Sequence, residues 1–167
     1  MKKYVFDTSG FSNPHEAMPE DIFTSLWPQV FKLIETGCIA VTTEIFDEMS
    51  HITGELGECI VKNRTAMVME VGSSNWSWQE YKENMARMIQ NHHGVISEYN
   101  GGSPKTVCLN DLTNIALAKT LKLPCVSMEA KVIAPDAKWR KIPNICQAED
   151  VEHINFNQFL RTEALRL

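Results

Sequence analysis

Apolar residues along this chain fall into short runs that alternate with stripes at helical spacing. The opening KKYVFD is a strand-like run that stops at Asp7 and is followed by Thr-Ser-Gly. A polar stretch with Pro14 and Pro19 comes next, and then Ile22, Leu26, Val30, Leu33 and Ile34 recur at helical spacing. Pro28 falls inside that stripe and predicts two short helices in place of one. Gly37 closes the stripe, and residues 38–41 read as a second buried strand. Thr42 or Thr43 then caps a helix over 44–49, and past Gly54 or Gly57 another helix is expected around 58–71. Ser77 and Glu80 stand in capping-box spacing ahead of Trp78, Tyr81, Met85, Met88 and Ile89, the apolar face of a further helix. Residues 94–103 contain three glycines and read as a loop with at most a brief turn of strand. Asn110 or Asp111 opens a helix carrying Ile115, Leu117, Ala118 and Leu121, and Pro124 stops it before a buried strand at 125–128.

Short strands alternating with helices predict an α/β domain with a mostly parallel sheet. Right-handed crossovers put the C-terminal ends of such strands along one edge, where ligands bind. The length of 167 residues fits one domain spanning 1–167. Hydrophobic content of 44% and charged content of 22% exclude a disordered or collagen-like chain. No apolar run approaches the ~18 residues of a membrane span. The apolar stretch in MKKYVFDTSG is too short for a secretory leader, so a cytoplasmic protein with no membrane partner is expected. Five cysteines, an odd number with no CxxC pair, predict free thiols in place of zinc or a disulfide framework.

The chemistry lies in the acids. Asp7 ends the first strand; Glu44 and Glu48 follow the second, one helical turn apart; Asp111 begins a later helix; Glu129 follows the strand at 125–128. A parallel sheet brings these four segments to one edge. Clustered carboxylates repel, so they need compensation, and hard oxygen donors suit Mg²⁺ or Mn²⁺. The helix dipole alone accounts for an acid in a first turn, which covers Glu44 and Asp111 singly. The combination is what points to a site.

These motifs resemble those of PIN-domain ribonucleases, the fold of VapC-type toxins. The strand-terminal Asp followed by Thr or Ser is matched by YVFDTSG, and a strand-to-helix acid by IFDEM, which selects Glu48 over Glu44. A helix-opening acid with an Ala-rich face is matched by NDLTNIALAK at Asp111, and the acid after the next strand by SME, with Glu129 where the family usually carries Asp. More narrowly, EDIFTSLWPQVFKLIETGCIAVTTEIFDEM and the tail KIPNICQAEDVEHINFNQFLR are similar to a compact bacterial PIN-like branch. The resemblance implies a three-layer α/β/α sandwich around four to five short strands. It also implies a Mg²⁺- or Mn²⁺-dependent endoribonuclease, with Asp7, Glu48, Asp111 and Glu129 as metal-holding catalytic residues. The implied setting is the toxin of a type II toxin–antitoxin pair, with RNA as substrate, a cognate antitoxin as partner and a homodimer as its assembly. Thr8, Ser9 and Asn114 are candidates to assist at the same edge, although backbone capping explains the hydroxyls equally well.

Two other readings compete. One is a PIN-like module that has lost catalysis and binds RNA or protein; the presence of all four acids speaks against it. The other is a phosphatase of the haloacid dehalogenase type, which wants an acid two residues after the first Asp, where this chain has Ser9. Trp76 and Trp78 are candidate base-stacking platforms, with core packing or a partner contact the more economical role. His92 and His93 are adjacent and point ~100° apart on a helix, which disfavours a shared metal.

The net charge of -5 first argues against a nucleic-acid partner. Split by segment, however, residues 1–102 carry 7 basic and 14 acidic groups, whereas residues 103–141 carry 7 basic and 3 acidic, a local net of +4. Lys105, Lys119, Lys122, Lys131, Lys138, Arg140 and Lys141 thus share a segment with Asp111 and Glu129, as a basic rim beside an acidic pocket requires.

Overall fold

Residues 1–134 and 138–166 are described by the computed structural model. Four short strands, β1 (Tyr4–Phe6), β2 (Ile39–Ala40), β3 (Cys125–Val126) and β4 (His153–Ile154), form a sheet of order β2-β1-β3-β4. Every pairing is parallel, with Tyr4 opposite Ile39, Val5 opposite Cys125, and Cys125 opposite His153. Helices α1 (Ser9–Ala17) and α2 (Trp27–Glu35) carry the chain from β1 to β2. Between β2 and β3 come α3 (Thr43–Met49), α4 (Gly54–Lys62), α5 (Arg64–Met67), α6 (Trp78–His92) and α7 (Leu109–Leu121). Helix α8 (Ile142–Ala148) leads into β4, and α9 (Phe156–Thr162) follows it.

The period-2 alternation of the strands divides the core in two. Tyr4, Phe6, Ile39 and Val126 enter a cluster with Phe11 of α1, Trp27 and Ile34 of α2, Ile45 of α3, Leu56 of α4 and Phe159 of α9. Val5, Ala40 and Cys125 face the opposite cluster with Tyr81 and Met88 of α6, Ile115 and Leu117 of α7, and Ile145 of α8. A sheet covered on both faces is a three-layer α/β/α sandwich, in agreement with the expected fold class, and it explains why the strands read as apolar runs. Phe6 sits at the centre of the first cluster, stacked on Phe11 at 4.3 Å and edge-on to Phe159 at 5.0 Å. Full burial of such a ring is worth about 1.5–3 kcal/mol.

Several elements depart from the sequence reading. The polar stretch after Asp7 is helical: α1 buries Gly10, Phe11 and Pro14, too few apolar groups to form a stripe. Pro28 does not split a helix; it stands in the first turn of α2, where its missing N–H costs nothing, and residues before it form turns. Gly37 ends α2 in the left-handed region (φ 71), with Gly37 N donating to Ile34 O and Cys38 N to Leu33 O. The helix expected over 58–71 starts earlier, at Gly54, and is broken at Asn63 into α4 and α5; Val68 instead bridges in parallel to Val41. Residues 94–103 contain short 3₁₀ turns and no strand.

Candidate metal centre

The C-terminal edge of the sheet carries Asp7 directly after β1. Asp7 N donates to Val126 O at 2.9 Å, which extends the β1–β3 ladder and fixes where its side chain emerges. The carboxylate is buried, and its Oδ2 accepts from Ser9 N at 2.9 Å and Ser9 Oγ at 2.5 Å. Ser9 Oγ in turn accepts from Met128 N at 3.1 Å, tying the start of α1 to the segment beyond β3.

Glu48, at the end of α3, is exposed at the mouth of this edge. Its Oε2 accepts from Thr8 Oγ1 at 2.9 Å and its Oε1 from Asn110 Nδ2 at 2.7 Å. Glu44, one turn earlier, is exposed and acts electrostatically on Tyr81 instead. Asp111 occupies the first turn of α7, where its Oδ2 accepts from Cys108 N at 2.8 Å and so closes the helix N-terminus. Glu129 lies beyond β3 with both oxygens engaged: Oε1 meets Lys141 Nζ at 3.1 Å, and Oε2 accepts from Ile142 N at 2.8 Å, at the start of α8.

The acids sense one another. Burial pushes the Asp7 carboxyl up to about 6 against the opposing hydrogen bonds from Ser9, and the charges of Glu129 and Glu48 push the same way. Burial likewise pushes Asp111 up to about 7, with Asp7 the next cause and Glu129 a smaller one. One turn along α7 from Asp111, Asn114 is completely buried, and neither its amide nitrogen nor its oxygen has a hydrogen-bond partner among the described residues. An orphaned buried amide costs about 1–3 kcal/mol for each unmet group, so it marks a place where a ligand or water belongs.

Among the described residues, no three His, Cys, Asp or Glu side chains already converge on a single point. Each carboxylate is drawn to its own donor. The donor set nevertheless fits a small hard cation: a buried and a half-buried carboxylate, both of raised pKa, an unpartnered amide on the same helix face as one of them, and a third acid at the mouth. Glu129 fits least well, because its oxygens are taken by Lys141 and α8.

Asn110, read from the sequence only as a helix start, and Lys141, read only as part of a basic rim, are direct partners of Glu48 and Glu129. The signal for Asn110 was its place beside Asp111 in the helix-opening LNDL. Of the proposed basic rim, Lys105 and Lys141 border the edge, with Lys131 near Glu129. Lys119 and Lys122 lie at the far end of α7 in a separate cavity with Asp150 and Glu152, where Lys119 Nζ donates to Glu149 O at 2.6 Å. Trp76 packs on Tyr81 at 5.4 Å and donates from Nε1 to Glu70 O at 2.8 Å, while Trp78 lies under Lys82. His92 binds Glu149 at 2.7 Å and His93 stacks on Tyr99 at 4.4 Å, so neither serves the acids. All five cysteines are free thiols. No described helix is long and apolar enough to cross a membrane.

Fold and site together define a parallel-sheet α/β protein with an acidic crevice at the C-terminal edge of its strands. Over residues 4–167 the chain matches the family described as Domain of unknown function (DUF4411), and it belongs to that family. No curated protein matches it. The chain is also similar to the crystal structure of PAE2754 from Pyrobaculum aerophilum, with 11% identity, a TM-score of 0.52, and coverage of 99% of this chain and 97% of that one. At that identity the likeness concerns the fold alone.

Proposed function

We propose that this protein is a PIN-like, Mg²⁺- or Mn²⁺-dependent endoribonuclease, acting as the toxin of a toxin–antitoxin pair. The observation that carries the proposal is the meeting of Asp7, Glu48, Asp111 and Glu129, from four separate segments, within electrostatic reach at one sheet edge. Asp7 and Asp111, with the Asn114 amide beside them, hold the cation. When bound, it supplies an ionised water at neutral pH and neutralises charge on the phosphate oxygens. Ser9 holds one oxygen of Asp7 in place. Thr8 and Asn110 hold Glu48 at the mouth, where its carboxylate can orient a water. Glu129 sets the charge of the crevice and holds Lys141 at its rim, where an ammonium faces an incoming phosphate.

The test is cleavage of RNA by the purified protein with Mn²⁺. Asp7→Asn is expected to lower the rate at least about 10³-fold with an unchanged circular dichroism spectrum, and to abolish toxicity on expression in a bacterial host. Wild-type rates from Asp7→Asn would overturn the assignment. One observation favours the second reading, a binding module without catalysis: both oxygens of Glu129 are committed to Lys141 and α8. A protein that binds RNA yet gives no Mn²⁺ isotherm at millimolar metal supports that reading.

A further inference from the structure

A cleft of about 710 Å³ runs outward from the acidic edge, lined among others by Ser9, Asn13, Lys105, Met128, Trp139 and Lys141. Ser9, which holds Asp7, and Glu129 both border it. Of its lining, Trp139 is 41% exposed, an unusual state for an indole, and Met128 is 36% exposed. Lys105 Nζ stands 5.6 Å over the Trp139 ring, and no acid among the described residues pairs with it. Lys141 Nζ reaches Glu129 and Pro104 O at 3.2 Å, so a second ammonium lies along the same wall.

A partly exposed indole, an ammonium over its ring with no acid partner among the described residues, and an adjoining carboxylate edge suit a base, its phosphate and the neighbouring phosphodiester of an RNA strand. We infer that this cleft is a subsite for one unpaired nucleotide of single-stranded RNA, its base stacked on Trp139 and its phosphate on Lys105. The inference rests on the nuclease reading for the position of the scissile bond, and deepens it by naming the substrate as unpaired. Stacking on a side chain requires a base free of its complementary strand, which a duplex cannot offer. Trp76 and Trp78, the tryptophans noted from sequence, are engaged with Tyr81, Glu70 and Lys82 on the α6 side. Trp139 is the one beside the acids.

The experiment measures binding of a short fluorescein-labelled single-stranded RNA to full-length Asp7→Asn protein in Mg²⁺, by anisotropy and by quenching of intrinsic fluorescence. Adding Trp139→Ala is expected to weaken binding about tenfold. Trp139→Phe keeps affinity within about threefold, because a phenyl ring still stacks, but loses the quenching. Lys105→Ala lowers the slope of log affinity against log salt by about 0.7, the value of one phosphate contact on a single strand. Equal affinity with and without Trp139 overturns the inference, as does absence of any binding, or tighter binding of a blunt duplex than of the single strand. Trp139-dependent binding by a wild-type chain that cleaves nothing upholds the subsite and fails the nuclease reading. Cleavage with Trp139-independent binding does the reverse.

Discussion

At Asn114 the chain buries an amide with no hydrogen-bond partner among the described residues, one turn from Asp111 at an edge that gathers acids. If the amide serves a cation, the metal-free fold gains nothing from it. Asn114→Leu, of the same branched shape but larger, is therefore expected to change metal-free stability by no more than about 1 kcal/mol in urea unfolding, relief of the orphaned amide offsetting the tighter packing. Calorimetric Mn²⁺ affinity should fall about tenfold in the same variant, the loss of one oxygen ligand. The opposite pair of results, a loss above about 2 kcal/mol with unaltered Mn²⁺ affinity, would assign the amide to the fold. Asp7 and Asp111 were legible in the sequence because backbone position alone decides them: a strand end and a helix start on a parallel sheet share an edge. The fate of Glu129 was not legible. Its partner Lys141 is twelve residues on, and only the placement of α8 brings an ammonium and the Ile142 N–H to the same carboxylate.

Helix α1 decides how firmly Asp7 is held, because Thr8 caps it and Ser9 opens its first turn. Gly10 lets that turn approach β3: a Cβ there would stand 2.9 Å from Val126 O and 3.1 Å from Phe6 Cδ1. Neither neighbour yields easily, one being backbone in the sheet and the other a buried ring. Gly10→Ala is expected to destabilise by about 1–3 kcal/mol, read as a lower urea midpoint, and to weaken Mn²⁺ binding as the Ser9–Met128 tie loosens. Gly94→Ala is the control, since nothing lies within 4 Å of its added Cβ. Equal midpoints for the two variants would show that α1 can shift freely. Helices α6 and α7 were readable from their apolar stripes, which long elements sustain. Helix α1 was not, for its three buried residues include a glycine and a proline and leave no stripe. Strands β1, β2 and β3 were found as apolar runs but β2 and β3 were drawn too long, since burial continues past the ladder at Val41 and Ser127, while the two-residue β4 was not read at all.

Across the whole molecule, the net charge of -5 conceals a division that the segment count only partly captured. Lys105 and Lys141 border the acidic edge and Lys131 lies near Glu129, while Lys119 and Lys122 line a separate cavity at the far end of α7, so only part of the basic segment stands at the site. The uncompensated acids then govern how stability depends on pH. Aspartate carboxyls of the unfolded chain titrate near 3.8, whereas Asp7 and Asp111 in the fold are raised to about 6 and about 7. Between these values the folded protein binds more protons than the unfolded one, so stability falls as pH rises from about 4 to about 7 and levels off above. Burial lowers His153 from 6.5, which opposes this trend in the acidic part of the window. Comparison with Asp111→Asn cancels that background. In EDTA, Asp111→Asn should therefore melt several degrees above wild type at pH 8, with the gap shrinking as pH falls to 5.5. Saturating Mn²⁺ must act in the other direction, because it requires the ionised carboxylates that the empty fold resists. Its stabilisation of wild type should grow from pH 5.5 to pH 8 and vanish in Asp111→Asn. A Mn²⁺ shift in melting temperature that is equal at both pH values, or that survives Asp111→Asn, would place any metal site elsewhere on the protein.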